Sequence, residues 1–367
     1  HRRLDGRLRV GCGRAKSARA MKLLVVSDPH WAGPAEQVRR GYEARAMPHR
    51  MQRILAATWR KGFWLADPMA HNDKLDRILA LNPDPDLVVA NGDYSVDSAF
   101  VGISDEAACD SAHRCLSALR AAYGDRLLPV IGDHELGKHS LFGGVGGPRW
   151  ESWLRLESRL SIPAWWQRDI GRYRLLAVPS TLVALPAFES ELLPEEAPVW
   201  RAERQRVLSE IQASLISLEA DRRILLFCHD PSALPFLAEL PEVRDRFPQW
   251  ESTIIGHLHS PAIARLATML AGMPILRGLG SSVKRYSTAL HQAQAWKEFR
   301  VRLCPSPTGA QALKDGGWLT AEWDPESPAP IPWQHHRSPW SIWEAHPGGM
   351  IFIVGAPEPL PIGTRPR

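Results

Sequence analysis

The chain has 367 residues, 44% hydrophobic and 23% charged, the make-up of a soluble globular protein with one large domain or two ordinary ones. Its formal charge of +5 misleads, because residues 1–20 hold seven basic residues and one acid, leaving 38 basic against 39 acidic residues over 21–367. The body therefore has no general basic field for nucleic acid, and no apolar run of about 18 residues could span a membrane.

Residues 1–20 lack the apolar centre of a signal peptide, so they read as a disordered or non-native extension, with Met21 as the expected start. The five cysteines, Cys12, Cys109, Cys115, Cys228 and Cys304, form no CxxC pair, which predicts reduced thiols and a cytoplasmic setting.

Lys22–Ser27 is a short apolar run that reads as a buried strand ending in Asp28-Pro29-His30. Residues 36–66 look helical and form the centre of an insertion near 31–71. In that stretch, 49–64 mixes basic and large apolar residues at helical spacing. It predicts a helix packed on the core with a basic outer face, or else a cap that grips an anionic or acylated substrate. Asn72–Leu81 is a helix stopped by Pro83, and Asp86–Ala90 is a second buried strand, ending in Asn91-Gly92-Asp93. A helix over 105–122 leads to the strand Leu127–Ile131 and then Gly132-Asp133-His134-Glu135. Gly143–Gly147 lacks the Lys and Ser/Thr of a phosphate-cradling loop and reads as a mobile loop.

A helix near 149–160, a strand over 174–178 and a long helix over 199–219 follow. The strand Arg223–Cys228 ends in His229-Asp230, and the strand Ser252–Gly256 ends in His257-Leu258-His259. Later strands are expected near 274–277, 316–323 and 350–354. From residue 325 onward ten prolines fall in 43 residues, which predicts a Pro-rich tail with His335 and His336 exposed in it. The order of strand, polar cluster and helix predicts an α/β fold with its chemistry at strand ends.

Singly, each polar cluster is an ordinary turn or cap. Together, five clusters in this order supply three Asp and five His, donors that suit Zn, Fe and Mn. Two such ions a few Å apart can clamp a phosphate, and a further His outside the ligand shell can protonate a leaving group.

The order Asp28-Pro29-His30, Gly92-Asp93, Gly132-Asp133-His134-Glu135, His229, Gly256-His257-Leu258-His259 resembles the calcineurin-like metallophosphoesterases over about residues 22–324. The resemblance implies a two-sheet α/β sandwich flanked by helices. It also implies two divalent ions (Mn, Fe or Zn) with Asp28, His30 and His259 on one, Asp133, His229 and His257 on the other, and Asp93 bridging. His134 would be the general acid or oxyanion stabiliser, and a metal-bridged hydroxide would attack a phosphoester or pyrophosphate bond.

The chain departs from the family pattern twice. Asp133 stands where the family carries Asn. Val96 stands where many members have a carboxylate paired with the catalytic His, and Asp97, one place later, is the candidate to orient His134. The expected substrate is a phosphorylated small molecule or a lipid-linked phosphoester. A nuclease of the same superfamily and a non-catalytic scaffold are the alternatives; the near-neutral body weighs against the first, and only Asp133 supports the second.

Overall fold

In a computed structural model, residues 20–81, 83–140, 144–276 and 281–338 are described, the side chains of 281–286 excepted. Two mixed five-stranded sheets face each other. The first has the order β10-β9-β1-β2-β3, from β1 (Met21–Val26), β2 (Leu87–Asn91), β3 (Leu127–Val130), β9 (Gly317–Trp323) and β10 (Trp333–Arg337). The second has the order β4-β5-β6-β7-β8, from β4 (Trp166–Ile170), β5 (Tyr173–Val178), β6 (Arg223–Cys228), β7 (Trp250–Ile255) and β8 (Val301–Leu303). β1, β2 and β3 run parallel, as do β5 through β8.

The strands are apolar on both faces because both faces are covered. In β1, Leu23 and Val25 point between the sheets, where they join Leu87, Val89, Leu175, Leu225 and Phe227. Leu24 and Val26 point the other way, into a core closed by flanking helices that include α5 (Glu106–Tyr123). The architecture is an α/β two-sheet sandwich flanked by helices.

The early helices are α1 (Pro34–Gln37), α2 (Tyr42–Ala46), α3 (Arg50–Gly62) and α4 (Asp73–Ala80), with α5, α6 (Asp133–Leu136) and α7 (Trp150–Leu160) after them. Contrary to expectation, α3 is not packed on the core with a basic outer face. It buries no residue, and Met51, Ile54, Leu55 and Trp59 lie exposed.

Three strands had no clear sequence signal. β4 (Trp-Gln-Arg-Asp-Ile) and β10 (Trp-Gln-His-His-Arg) are polar edge strands, and β8 has only three residues. Because β10 pairs with β9, the first sheet runs past residue 324 into the Pro-rich stretch. His335 and His336 therefore lie in a strand rather than a loose tail. The His336 ring stacks on Trp318, with Nε2 2.7 Å from Thr320 Oγ1. The strand expected near 274–277 is irregular over 274–276, and residue 277 and the stretch 350–354 lie outside the described residues. Of the glycine-rich loop expected to be mobile over 143–147, Gly143 lies outside the described residues and 144–147 is tied down: Ser140 N donates to Val145 O, and Gly147 N to Phe100 O and Lys138 O.

Candidate metal centre

Each candidate ligand, and His134, sits just past the C-terminal end of a parallel strand. Asp28 and His30 follow β1, Asp93 follows β2, Asp133 and His134 follow β3, His229 follows β6, and His257 and His259 follow β7. To aim side chains back over the strand ends the backbone turns sharply. Asp28, His30, Asp93, His257 and His259 all adopt left-handed φ, between 44° and 61°. For residues with a Cβ that strain costs about 1 kcal/mol or more each. Interlocking hydrogen bonds hold it in place: Asp28 N donates to Gly92 O, His30 N to Asp93 O, Gly256 N to His229 O, and His257 N to the Asp28 carboxylate.

Two glycines explain the recurring Gly-Asp and Gly-His pairs. Gly92 has φ 87°, and a Cβ there would lie 2.7 Å from both Gly132 Cα and His229 Nδ1. A Cβ at Gly256 would lie 2.1 Å from Ser27 Oγ and 2.5 Å from Asp28 Oδ2.

Two sets of donors converge. Asp28, His30, Asp93 and His259 each bring one donor atom within 4.8 Å of the others, and so do Asp93, Asp133, His229 and His257. Asp93 belongs to both sets and His134 to neither.

The residues fit divalent ions on their own chemistry. His229 Nδ1 is 2.6 Å from Asn91 O, so that nitrogen carries the hydrogen and donates it. Nε2 then presents a lone pair 3.1 Å from Asp93 Oδ2 and 3.2 Å from Asp133 Oδ1. Neither Nε2 nor Asp93 Oδ2 has a hydrogen-bond partner, although both are buried. Lone pairs facing one another in a buried place repel unless a proton or a metal cation lies among them.

The titration behaviour shows the same demand for positive charge. Burial opposes a charge on His229, but Asp93 and Asp28 outweigh it and hold His229 well above its ordinary value. Burial likewise opposes charge on His257, and Asp133 outweighs it, pushing that histidine up to about 10.

His30 and His134 go the other way. Burial takes both down to about 3, helped at His30 by His259 and at His134 by Lys138 and His30. Their Nδ1 atoms share one acceptor, the Ser95 carbonyl, at 3.2 Å and 3.0 Å. That carbonyl fixes the tautomer of each ring, leaving Nε2 to face the site. His134 Nε2 is 3.7 Å from Asp93 Oδ2, and His134 N donates to Asp93 Oδ1.

The expectation that Asp97 orients His134 is corrected. Asp97 Oδ1 accepts from Val101 N and Gly102 N, and Oδ2 accepts from Lys138 N. Its carboxylate is consumed in shaping the turn, and burial raises its pKa to about 7. The partner of His134 is instead a main-chain carbonyl, which no side-chain pattern reveals.

Other residues support the loops that carry the donors. Glu135 was visible in its cluster but had no role; it accepts from Asp93 N, Tyr94 N and Gly132 N, pinning the loop that carries Asp93. Glu36, fully buried, accepts from Val96 N and Ser98 N, and Lys138 Nζ donates to Val96 O, so both brace the turn around Ser95. Trp64 stacks on His259, with ring centroids 5.3 Å apart.

No protein-family model matches the chain, and no curated protein matches it in sequence. Solved structures of loosely similar shape include two enzymes. A dimetal phosphatase from Danio rerio is 15% identical over 83% of this chain and 92% of its own, with a TM-score of 0.39. A phosphopantetheinyl hydrolase from Mycobacterium tuberculosis is 14% identical over 66% of this chain and 84% of its own, with a TM-score of 0.34. Overlaps this loose decide nothing about the chemistry of this chain.

Proposed function

We propose that the chain hydrolyses a phosphoester or pyrophosphate bond with the help of two divalent ions, as a metallophosphoesterase of the calcineurin-like type. The carrying observation is the pair of donor sets that share Asp93 and hold a bare His229 Nε2 between carboxylate oxygens. Asp28, His30, Asp93 and His259 would hold one ion, and Asp93, Asp133, His229 and His257 the other. When bound, the ions would polarise the phosphoryl oxygens and supply an activated water.

The chain's own residues do the rest. Ser95 O holds the His134 ring by Nδ1, so that Nε2 faces the site with a lone pair; a proton taken up there from the attacking water can pass to the leaving oxygen as its bond to phosphorus breaks. The Asp133 carboxylate, where the family has an amide, adds negative charge and removes a donor that could touch substrate. The substrate is a phosphorylated small molecule or a lipid-linked phosphoester.

The test is reconstitution with Mn, followed by elemental analysis and turnover of a generic aryl phosphate, of cyclic and linear diesters, and of nucleotide-linked pyrophosphates. About two metals per chain with turnover of at least one class is the expected result. A protein that takes up no metal sinks the reading.

A further inference from the structure

Helix α3 is turned inside out. Its half-buried residues are Gln52, Ala56 and Arg60, at i, i+4 and i+8, so this small and polar stripe faces the protein. Arg60 is tied to Glu43, and α3 packs on α2. The adjoining face, running round from Ile54 to Trp59, is apolar and largely exposed: Met51 is 67% exposed, Ile54 48%, Leu55 66% and Trp59, whose ring also stacks on Phe63, 53%. Single exposed apolar residues are ordinary, but four on one face of one helix mark a surface that something covers.

Charge says what covers it. No acid occurs from Ala44 to Ala66, while Arg50, Arg53, Arg60 and Lys61 all lie on the helix. Arg50 and Lys61 flank the apolar stripe and make no ion pair among the described residues. A second copy of this face would set these cations against their own kind with no acid between them. A surface of anionic lipid would meet them with opposite charge, while its acyl boundary takes up the apolar side chains. The helix has 13 residues, about 20 Å, too short to cross a bilayer and suited to lie in its surface.

We propose that α3 is an interfacial helix that seats the protein on an anionic lipid bilayer, with Met51, Ile54, Leu55 and Trp59 in the acyl boundary and Arg50 and Lys61 among the headgroups. Its C-terminal end continues through Phe63 to Trp64, which stacks on His259, so seating brings the candidate metal centre close to the bilayer surface. The substrate class that follows is a phosphoester at headgroup level, and this second step rests on the function proposed above.

The experiment is co-sedimentation of the full chain with vesicles of phosphatidylcholine alone, or of phosphatidylcholine mixed with phosphatidylglycerol. The parent is expected to pellet with the mixed vesicles, to ignore the neutral ones, and to be released by salt. Ile54→Glu/Leu55→Glu is expected to weaken vesicle binding about tenfold or more, with unchanged circular dichroism and elution, because both side chains point outward. A parent that stays in the supernatant overturns the proposal, as does a variant that pellets like the parent. So does a dimer that the variant breaks while vesicles are ignored, which would assign the stripe to a second copy. Vesicle binding is read without catalysis, so a chain that binds vesicles but turns over no phosphoester would refute the proposed function alone.

Discussion

At the strand ends polar side chains are packed away from water; along α3 apolar side chains are left in it. Asp28, Asp93 and His229 are no more than 1% exposed, whereas Met51 and Leu55 are about two-thirds exposed. Each region reverses the arrangement that folding favours, and each reversal costs free energy. At the candidate metal centre, left-handed backbone and shared hydrogen bonds sustain the cost, and a cation would relieve it. Around α3 the helix is held to α2 on its polar side and no residue of it is buried, so relief for the apolar stripe would come from outside the molecule. Both departures mark where the chain meets something else.

That contrast can be broken most sharply at Asp93. Asp93→Ala removes the donor common to both sets, and loss of metal from both positions and of all measurable turnover is expected; atomic absorption on the reconstituted variant decides. A variant that kept two ions would show that Asp93 does not bridge.

His134→Ala is expected to lower turnover by about 10²–10⁴-fold while metal content stays near that of the parent, the range for a lost general acid. Parallel loss of metal would make His134 a ligand.

Asp133→Asn keeps an oxygen donor but removes one negative charge. Greater net positive charge stabilises hydroxide, so the rising limb of the pH–rate profile should move about one pH unit lower with metal retained. An unmoved or higher limb at full metal occupancy would refute the charge account.

Asp97 tests the supporting turn. Burial raises its folded pKa to about 7 from the ordinary 3.8, so the folded chain holds this proton more tightly than the unfolded one. Its contribution to stability is therefore greatest below pH 4 and is lost as pH rises to about 7, with a slope of at most ~1.4 kcal/mol per pH unit. Asp97→Asn cannot ionise, so its melting temperature relative to the parent should rise between pH 5 and 8. A constant difference would mean that the carboxylate is charged throughout.

The smallest effect belongs to α3. Leu55→Ala should change folding stability by no more than about 0.5 kcal/mol in denaturant, against the 2–5 kcal/mol of a core leucine. A large loss would show that the stripe is covered by this chain itself.

The convergence of donors was legible in the primary structure because apolar runs such as Leu23–Val26 and Ile224–Phe227 mark buried strands, and five such runs end in Asp, His and Gly clusters that are ordinary turns or caps singly but not in this order together. The sandwich came through resemblance, since strand periodicity says which residues are buried but not how ten strands divide into two sheets. Partners far apart in sequence, and those that are main-chain atoms, stayed hidden. Ser95 offers a carbonyl that any residue type could offer, and it meets His30 and His134 only because β1, β2 and β3 lie side by side. Asp97 carries the right chemistry one position from the expected place, but the turn directs its carboxylate to three backbone amides instead of to His134. α3 is amphipathic in its sequence alone. Which of its faces meets the protein depends on what α2 and the neighbouring loops present to it, and there the half-buried stripe of Gln52, Ala56 and Arg60 turned inward.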